Sequence, residues 1–285
     1  MSKILSTSHF IKGKKADSLG KQVMESRAGN LLSQGGYLKP CSEMTRKERN
    51  RIRMTSKLFP KISGRILDVG SFDARVSNSL NQESVNLDLV KEHLKMSRGQ
   101  RVQGSATHLP FKKNSFQGVI CTEVLEHLSD LDLRKATLEI QKVSREHILA
   151  SVPFEEELFR HVRRCKFCNT YSHPYGHLQS FSTRDLLDLF EEYQPVAISY
   201  IGRNPTGCRR IWKAMASAGV FLPIVHGKCP RCGKTSQKKE VGHYLINFIY
   251  LIDFLIRFLW IVLGVVKPNW VAVLFQFDKS SKPPS

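Results

Sequence analysis

Short apolar runs recur through the middle of the chain, each closed by a turn signal and followed by residues with helical spacing. This pattern predicts strands at 65–70, 85–89, 101–105, 118–122, 147–153 and 195–201. Helical stretches fall between them, clearest at 128–143 and, after the Ser182/Thr183 cap, at 184–192. Alternation of this kind makes a mostly parallel sheet covered by helices on both faces. A longer apolar segment, Tyr244–Val266, has the length of a membrane span. Yet His243, Asn247, Tyr250, Asp253, Arg257 and Gly264 fall on one side of its helical wheel, and Asp253 and Arg257 form an i,i+4 pair. Two readings stand: an amphipathic helix on a membrane, a partner or the body, and a true span.

The first strand carries the chemistry. In Arg65-Ile-Leu-Asp68-Val-Gly70-Ser-Phe-Asp-Ala74, an apolar run ends in an acid and a tight glycine turn before a helical pattern. That is how a buried parallel strand meets a helix N-terminus in nucleotide-binding α/β folds. Asp88 follows at the end of the second strand, where a carboxylate can accept hydrogen bonds from both ribose hydroxyls. Further on come Leu109-Pro110-Phe111, Ser115-Phe116-Gln117-Gly118-Val119-Ile120 and Glu123-Val124-Leu125-Glu126-His127-Leu128. In this ordered series the chain resembles the class I S-adenosylmethionine-dependent methyltransferases of the type 11 group, over roughly Gly64 to Ile201.

The resemblance implies an α/β fold with a Rossmann-like seven-stranded sheet, closed by an antiparallel seventh strand that Trp270–Phe277 fits. Residues 203–268 then become a cysteine-containing insertion between strands six and seven. A span at 244–266 would separate strand seven from its sheet. The implied domains are a basic extension and helix at 1–58, a cofactor-binding core at 59–202, the insertion at 203–268, and a final strand and tail at 269–285. The implied S-adenosylmethionine shell is Asp68, Gly70, Ser71, Asp73, Asp88, Leu89, Ser105, Ala106 and Glu123. Asp68 would face the cationic methionine end, Gly70 would let backbone approach the cofactor, and Ser105-Ala106 would lie beside adenine. Two departures stand out. The turn keeps only the first of the family's glycines, and Ser105 replaces the usual aspartate.

Glu123, Glu126 and His127 match the E-x-x-E-H spacing of metal-dependent O-methyltransferases, and His177 is placed to join them. They read either as a divalent-metal site or as a metal-free acceptor pocket with His127 or His177 as catalytic base. Independently, Cys229-Pro-Arg-Cys232-Gly has the shape of a zinc knuckle, and Cys165-Lys-Phe-Cys168 supplies a second pair. Together they offer four thiolates to a structural zinc; free or redox cysteines and disulfides are the alternatives. Disulfides fit poorly, because no N-terminal signal peptide is visible. Cys41, Cys121 and Cys208 show no pairing pattern. His161 and His173 flank the first cysteine pair as surface or supporting groups.

Charge sharpens the picture. Residues 1–65 hold fifteen Lys/Arg and four Asp/Glu, a balance of +11, and residues 203–243 hold nine and one, a balance of +8. These two segments account for the whole net charge of +19, so the rest of the chain is neutral. Such blocks imply an anionic partner: an acidic membrane surface, a glycan or RNA. The opening segment reads as a cytoplasmic basic extension, peripheral membrane attachment being compatible, with a transit peptide as the alternative. Three functions compete: methyl transfer to a hydroxylated small molecule, lipid or glycan; methylation of RNA, including metal-dependent 2′-O-methylation; and a degenerate methyltransferase fold used for binding.

Overall fold

A computed structural model of the protein describes residues 44–205, 209–217, 222–223, 229, 231–234 and 244–278. Seven strands build the central sheet: β1 (Ile66–Val69), β2 (Ser84–Asp88), β3 (Gln100–Gln103), β4 (Phe116–Thr122), β5 (Ser144–Pro153), β6 (Tyr193–Ile201) and β7 (Trp270–Phe277). Their spatial order is β3-β2-β1-β4-β5-β7-β6. Strands β1 to β5 pair in parallel, and β7 runs antiparallel to both β5 and β6. The strand order reverses between β1 and β4, which leaves a crevice at their carboxyl ends, where α/β sheets bind ligands.

The two faces of the sheet are filled by alternate residues. Ile66, Ile120, Leu149 and Leu274 point to one side, under Phe59 and Val76. Leu67, Val69, Val119, Cys121, Ile148, Val273 and Phe275 point to the other, under Leu133, Ile140, Leu186 and Phe190. Burial on both faces is why β1 and β2 read as continuous runs with no exposed position. Strand β3 is polar and largely exposed, as an edge strand must be to resist pairing with another chain.

Helices α1 (Arg46–Leu58), α2 (Arg75–Leu80), α3 (Asp130–Val143) and α4 (Thr183–Leu187) cover these faces. Helix α1 starts at a capping box between Thr45 and Glu48, and α3 at the Ser129 cap. The helix predicted at 184–192 stops at Leu187. A turn bonding Phe190 N to Leu187 O drops Phe190 into the core beside Phe275, with ring centroids 5.0 Å apart. Burying that ring outweighs another helical turn.

Between β6 and β7 lie α5 (Arg209–Ser217) and α6 (Tyr244–Val262). This region is stitched to the segment after β5. Leu222–Pro223 pairs with Arg163–Arg164, which pairs with Tyr171–Ser172. Asp253, in the middle of α6, is buried. It accepts hydrogen bonds from Arg160 (2.5 Å), Arg257 (2.9 Å) and Trp212 Nε1 (3.0 Å). The polar stripe therefore faces the body. Among the described residues no helix is long and apolar enough to cross a membrane. His243 and the side chain of Asn247 lie outside the described residues.

Candidate active site

The carboxyl ends of β1 and β2 place the expected cofactor residues together. Gly70 has φ +65°, and a Cβ there would lie 2.3 Å from Val124 Cγ2, so only glycine lets β1 end this close to β4. Phe72 (φ +51°) and Ala74 (φ +56°) take the same left-handed conformation at the two positions where the sequence had lost its glycines. The turn keeps its shape at a cost of about 1 kcal/mol for each such residue. Phe72 is held by its main-chain N–H donating to Asp88 (2.9 Å) and by its ring against His93, with centroids 4.4 Å apart.

Three carboxylates face this turn. Asp68 is buried beneath it, and burial, offset only in part by hydrogen bonds from Ser77, pushes its carboxyl up to about 7. Asp73 is buried and pairs with Arg75; burial raises its carboxyl above the usual range against that pairing. Asp88 accepts from Phe72 N, from Val90 N (2.9 Å) and from His93 Nδ1 (3.0 Å). Three of its roughly four lone-pair sites are thus in use. A grip on two ribose hydroxyls requires His93 to give up its bond. Leu89, beside Asp88, is half exposed and offers an apolar platform at the crevice. Ser71 is buried with an unpartnered hydroxyl, while Ser105 bonds Thr107 (2.8 Å) and Ala106 packs against the core. These residues fit an adenosine carrying a cationic amino-acid arm, with a carboxylate at each end and apolar surface between.

The other side of β4 is built differently. Glu123 (φ +57°) accepts from Trp270 Nε1 (2.8 Å) and lies 3.7 Å from Arg51, which also stacks on the Trp270 ring. Glu123 leans on α1 and β7, its Oε1 keeps no hydrogen-bond partner, and it stands outside the 4.8 Å group of Glu126, His127 and His177. Glu126 is fully buried, and neither carboxylate oxygen has a hydrogen-bond partner. Its main-chain carbonyl accepts from Leu178 N (2.7 Å) and Gln179 N (3.0 Å), clamping the segment of His177 over it. One ligating atom each of Glu126, His127 and His177 lies within 4.8 Å of the others.

Hydrogen bonding fixes how the histidines present themselves. Nδ1 of His127 donates to Gly176 O (3.3 Å), and Nδ1 of His177 donates to Glu156 (2.5 Å). Each ring therefore keeps Nε2 as its lone pair. His173 is the reverse. Its Nδ1 accepts from Tyr175 N and His177 N (both 3.3 Å), so its Nε2 carries the proton, 3.6 Å from Glu156. It braces Glu156 and is buried rather than superficial. Burial, then repulsion from His177, lowers His127 to about 4, so its ring is neutral at pH 7. Burial raises Glu126 well above the carboxylate range. An orphaned buried carboxylate grouped with two imidazoles fits a divalent cation.

The four cysteines also meet, although 61 positions separate Cys168 from Cys229 in the chain. Cys165 Sγ lies 3.6 Å from Cys232 Sγ, and Cys168 Sγ lies 3.6 Å from Cys229 Sγ, with all four sulfurs within 4.8 Å of one another. Cys165 and Cys229 are buried, and Cys121 is an apolar filler in β4. Tetrahedral zinc with about 2.3 Å bonds separates its sulfurs by roughly 3.8 Å, so the spacing fits that ion. Cys41 and Cys208 lie outside the described residues. Sequence reasoning missed Arg51, Glu156 and Trp270. Glu156 stands in an acidic run after β5 without any motif spacing, and the other two reach the site from distant elements.

Residues 67–147 match the profile of the Methyltransf_11 family, described as a methyltransferase domain. No curated protein matches the chain. Among solved structures it is similar to a SAM-dependent methyltransferase of Thermotoga maritima, described as a possible histamine N-methyltransferase. That pair shares 13% identity over 81% of this chain and 89% of the other, with a TM-score of 0.47. A protein of Pyrococcus horikoshii shares 18% identity over 55% and 87%, with a TM-score of 0.47. The 1,6-didemethyltoxoflavin-N1-methyltransferase of Burkholderia thailandensis, solved with 1,6-didemethyltoxoflavin and S-adenosylhomocysteine, shares 12% over 80% and 78%, with a TM-score of 0.44. The matched stretch, a methyltransferase domain by its description, holds the motifs that lie at the reversal point of the seven-stranded sheet.

Proposed function

We propose that the protein transfers the methyl group of S-adenosylmethionine to a hydroxyl of a small molecule, lipid or glycan, and that Glu126, His127 and His177 hold a divalent cation beside that hydroxyl. The observation that carries this reading is the buried Glu126 carboxylate, which has no protein partner and stands beside two imidazoles whose Nδ1 atoms are already engaged. A cation held there would lower the pKa of an acceptor hydroxyl. Asp68 and Asp88 hold the two ends of the cofactor, and Glu156 orients His177 as a carboxylate orients a metal-binding imidazole. The S–CH3 bond breaks as the O–CH3 bond forms. The sulfur leaves as neutral S-adenosylhomocysteine, and the hydroxyl proton passes to solvent or a neighbouring base. Most of the rate comes from holding the acceptor oxygen in line with that methyl.

In the same reading Cys165, Cys168, Cys229 and Cys232 hold a structural zinc that fastens the segment after β5 to the region before β7. RNA is the alternative acceptor, favoured by the +11 and +8 segments, and competition between RNA and small hydroxylated acceptors for methylation separates the two. The cation is tested by titrating Mn²⁺ into protein that holds zinc and S-adenosylhomocysteine. Wild type binds one Mn²⁺, and Glu126→Gln weakens it about 100-fold or more without lowering the melting temperature. No Mn²⁺ binding by wild type, or equal binding by the variant, overturns the assignment.

A further inference from the structure

The charged pair of α6, Asp253 and Arg257, is held within the molecule, and most of what the described helix exposes is apolar. Asp253, the only acid of the helix, is bound by Arg160, Arg257 and Trp212, and Tyr250 lies against the Trp212 ring, 5.6 Å between centroids. On the opposite side Phe248, Leu251, Phe254, Phe258, Ile261 and Val262 are each between 52% and 66% exposed. At 100° per residue they fill a sector of roughly 140°, centred about 150° away from Asp253. Large contiguous apolar patches are rare on soluble monomers and mark surfaces that something covers.

We infer that this face of α6 docks into the interfacial layer of an anionic membrane, the helix lying parallel to the surface with the catalytic crevice held above it. Three observations select lipid over other occupants. Charge is the first. The segment that precedes α6, residues 203–243, carries +8, and Lys267 follows the helix. An anionic bilayer supplies the opposite charge beside an apolar phase. A second copy of the chain would bring like-charged segments together instead. Chemistry is the second. The six outward side chains carry no hydrogen-bonding group, whereas the cores of protein interfaces are enriched in Tyr, Trp and Arg. Geometry is the third. The pin at Asp253 holds the middle of α6 against the body, so the helix can lie on a bilayer but cannot be threaded through one. Arg160, which holds Asp253, sits four residues from Glu156, so the body-facing side of α6 is tied to the segment that also serves the histidine cluster.

Flotation of the full chain with vesicles of phosphatidylglycerol and phosphatidylcholine tests this directly. Wild type floats with these vesicles, binds pure phosphatidylcholine less, and loses binding as salt rises. The pair Phe254→Glu and Phe258→Glu reduces vesicle binding at least tenfold while zinc content and S-adenosylhomocysteine binding persist. Leu138→Glu, an equally exposed leucine on α3, changes nothing. Should the double variant fail to fold, a probe tryptophan still answers the question. Brominated lipids must quench a tryptophan placed on the outward face, Phe258→Trp, and leave one placed on α3, Leu138→Trp, unquenched. The inference is overturned if wild type ignores anionic vesicles, or if the double variant binds them equally. It is equally overturned if the face proves to join two copies, seen as lipid-free dimers that the double variant dissolves.

Discussion

On the cofactor side of the crevice every carboxylate has partners: Ser77 bonds Asp68, Arg75 pairs with Asp73, and three donors surround Asp88. On the other side of β4, Glu126 has none, and the imidazoles around it are tied by one nitrogen and open at the other. Both regions are buried, so exposure does not explain the contrast. A buried charge without a partner is costly, and a fold keeps one where a ligand completes it. The cofactor half is finished by the chain itself. In the proposed reading the acceptor half is finished by what binds there.

The strongest way to separate the halves is to unfasten one. Cys229→Ser removes a thiolate from the four-cysteine cluster. The protein should fall from about one zinc per chain to none, with amide exchange accelerating across residues 163–172. Cofactor affinity should hold, since no residue of its shell belongs to that unit. Elemental analysis that finds no metal in reduced wild-type protein sinks the zinc, and a parallel collapse of cofactor binding denies the independence of the two sides.

A smaller effect comes from pH. Burial raises the Asp68 carboxyl from 3.8 to about 7 in the empty fold. The folded state therefore holds a proton that the unfolded state has already lost, and this group costs stability as pH rises from about 4 towards 7. A cationic ligand needs the ionised form. S-adenosylhomocysteine affinity should then weaken about tenfold for each pH unit below about 7, with release of one proton on binding. Calorimetry in buffers of different ionisation enthalpy reads that proton, and a pH-independent affinity removes Asp68 from the amino-acid end.

The contrast also explains what the chain disclosed in advance. Local rules sufficed for the cofactor half. A strand, a glycine turn and an acid at the end of the next strand all lie within Arg65–Leu89, and both strands appear within one residue of their expected bounds. Trp270–Phe277 was legible for the same reason, as an apolar run buried on both faces. Ser182 and Thr183 marked the start of α4, but its end was set by Phe190 seeking the core, which is a tertiary effect. In the acceptor half, Glu126, His127 and His177 stood in recognisable spacing. The contacts of Glu123 with Arg51 and Trp270 could not be read in advance, because those partners are distant in sequence. Glu156 escaped notice because nothing local distinguishes it from its two acidic neighbours. The polar stripe of α6 was read correctly as a stripe, while the partner it needed, Arg160, could come only from the folded chain.

The central claim is that this crevice binds an adenosine-based methyl donor through Asp68 and Asp88. Its most direct test is calorimetric titration of S-adenosylhomocysteine into wild type and Asp88→Ala at pH 8. One site is expected, weakened in the variant by about 1.5–3 kcal/mol, or roughly 12- to 150-fold. No heat from wild type at millimolar ligand, or an unchanged constant in Asp88→Ala, would contradict the account.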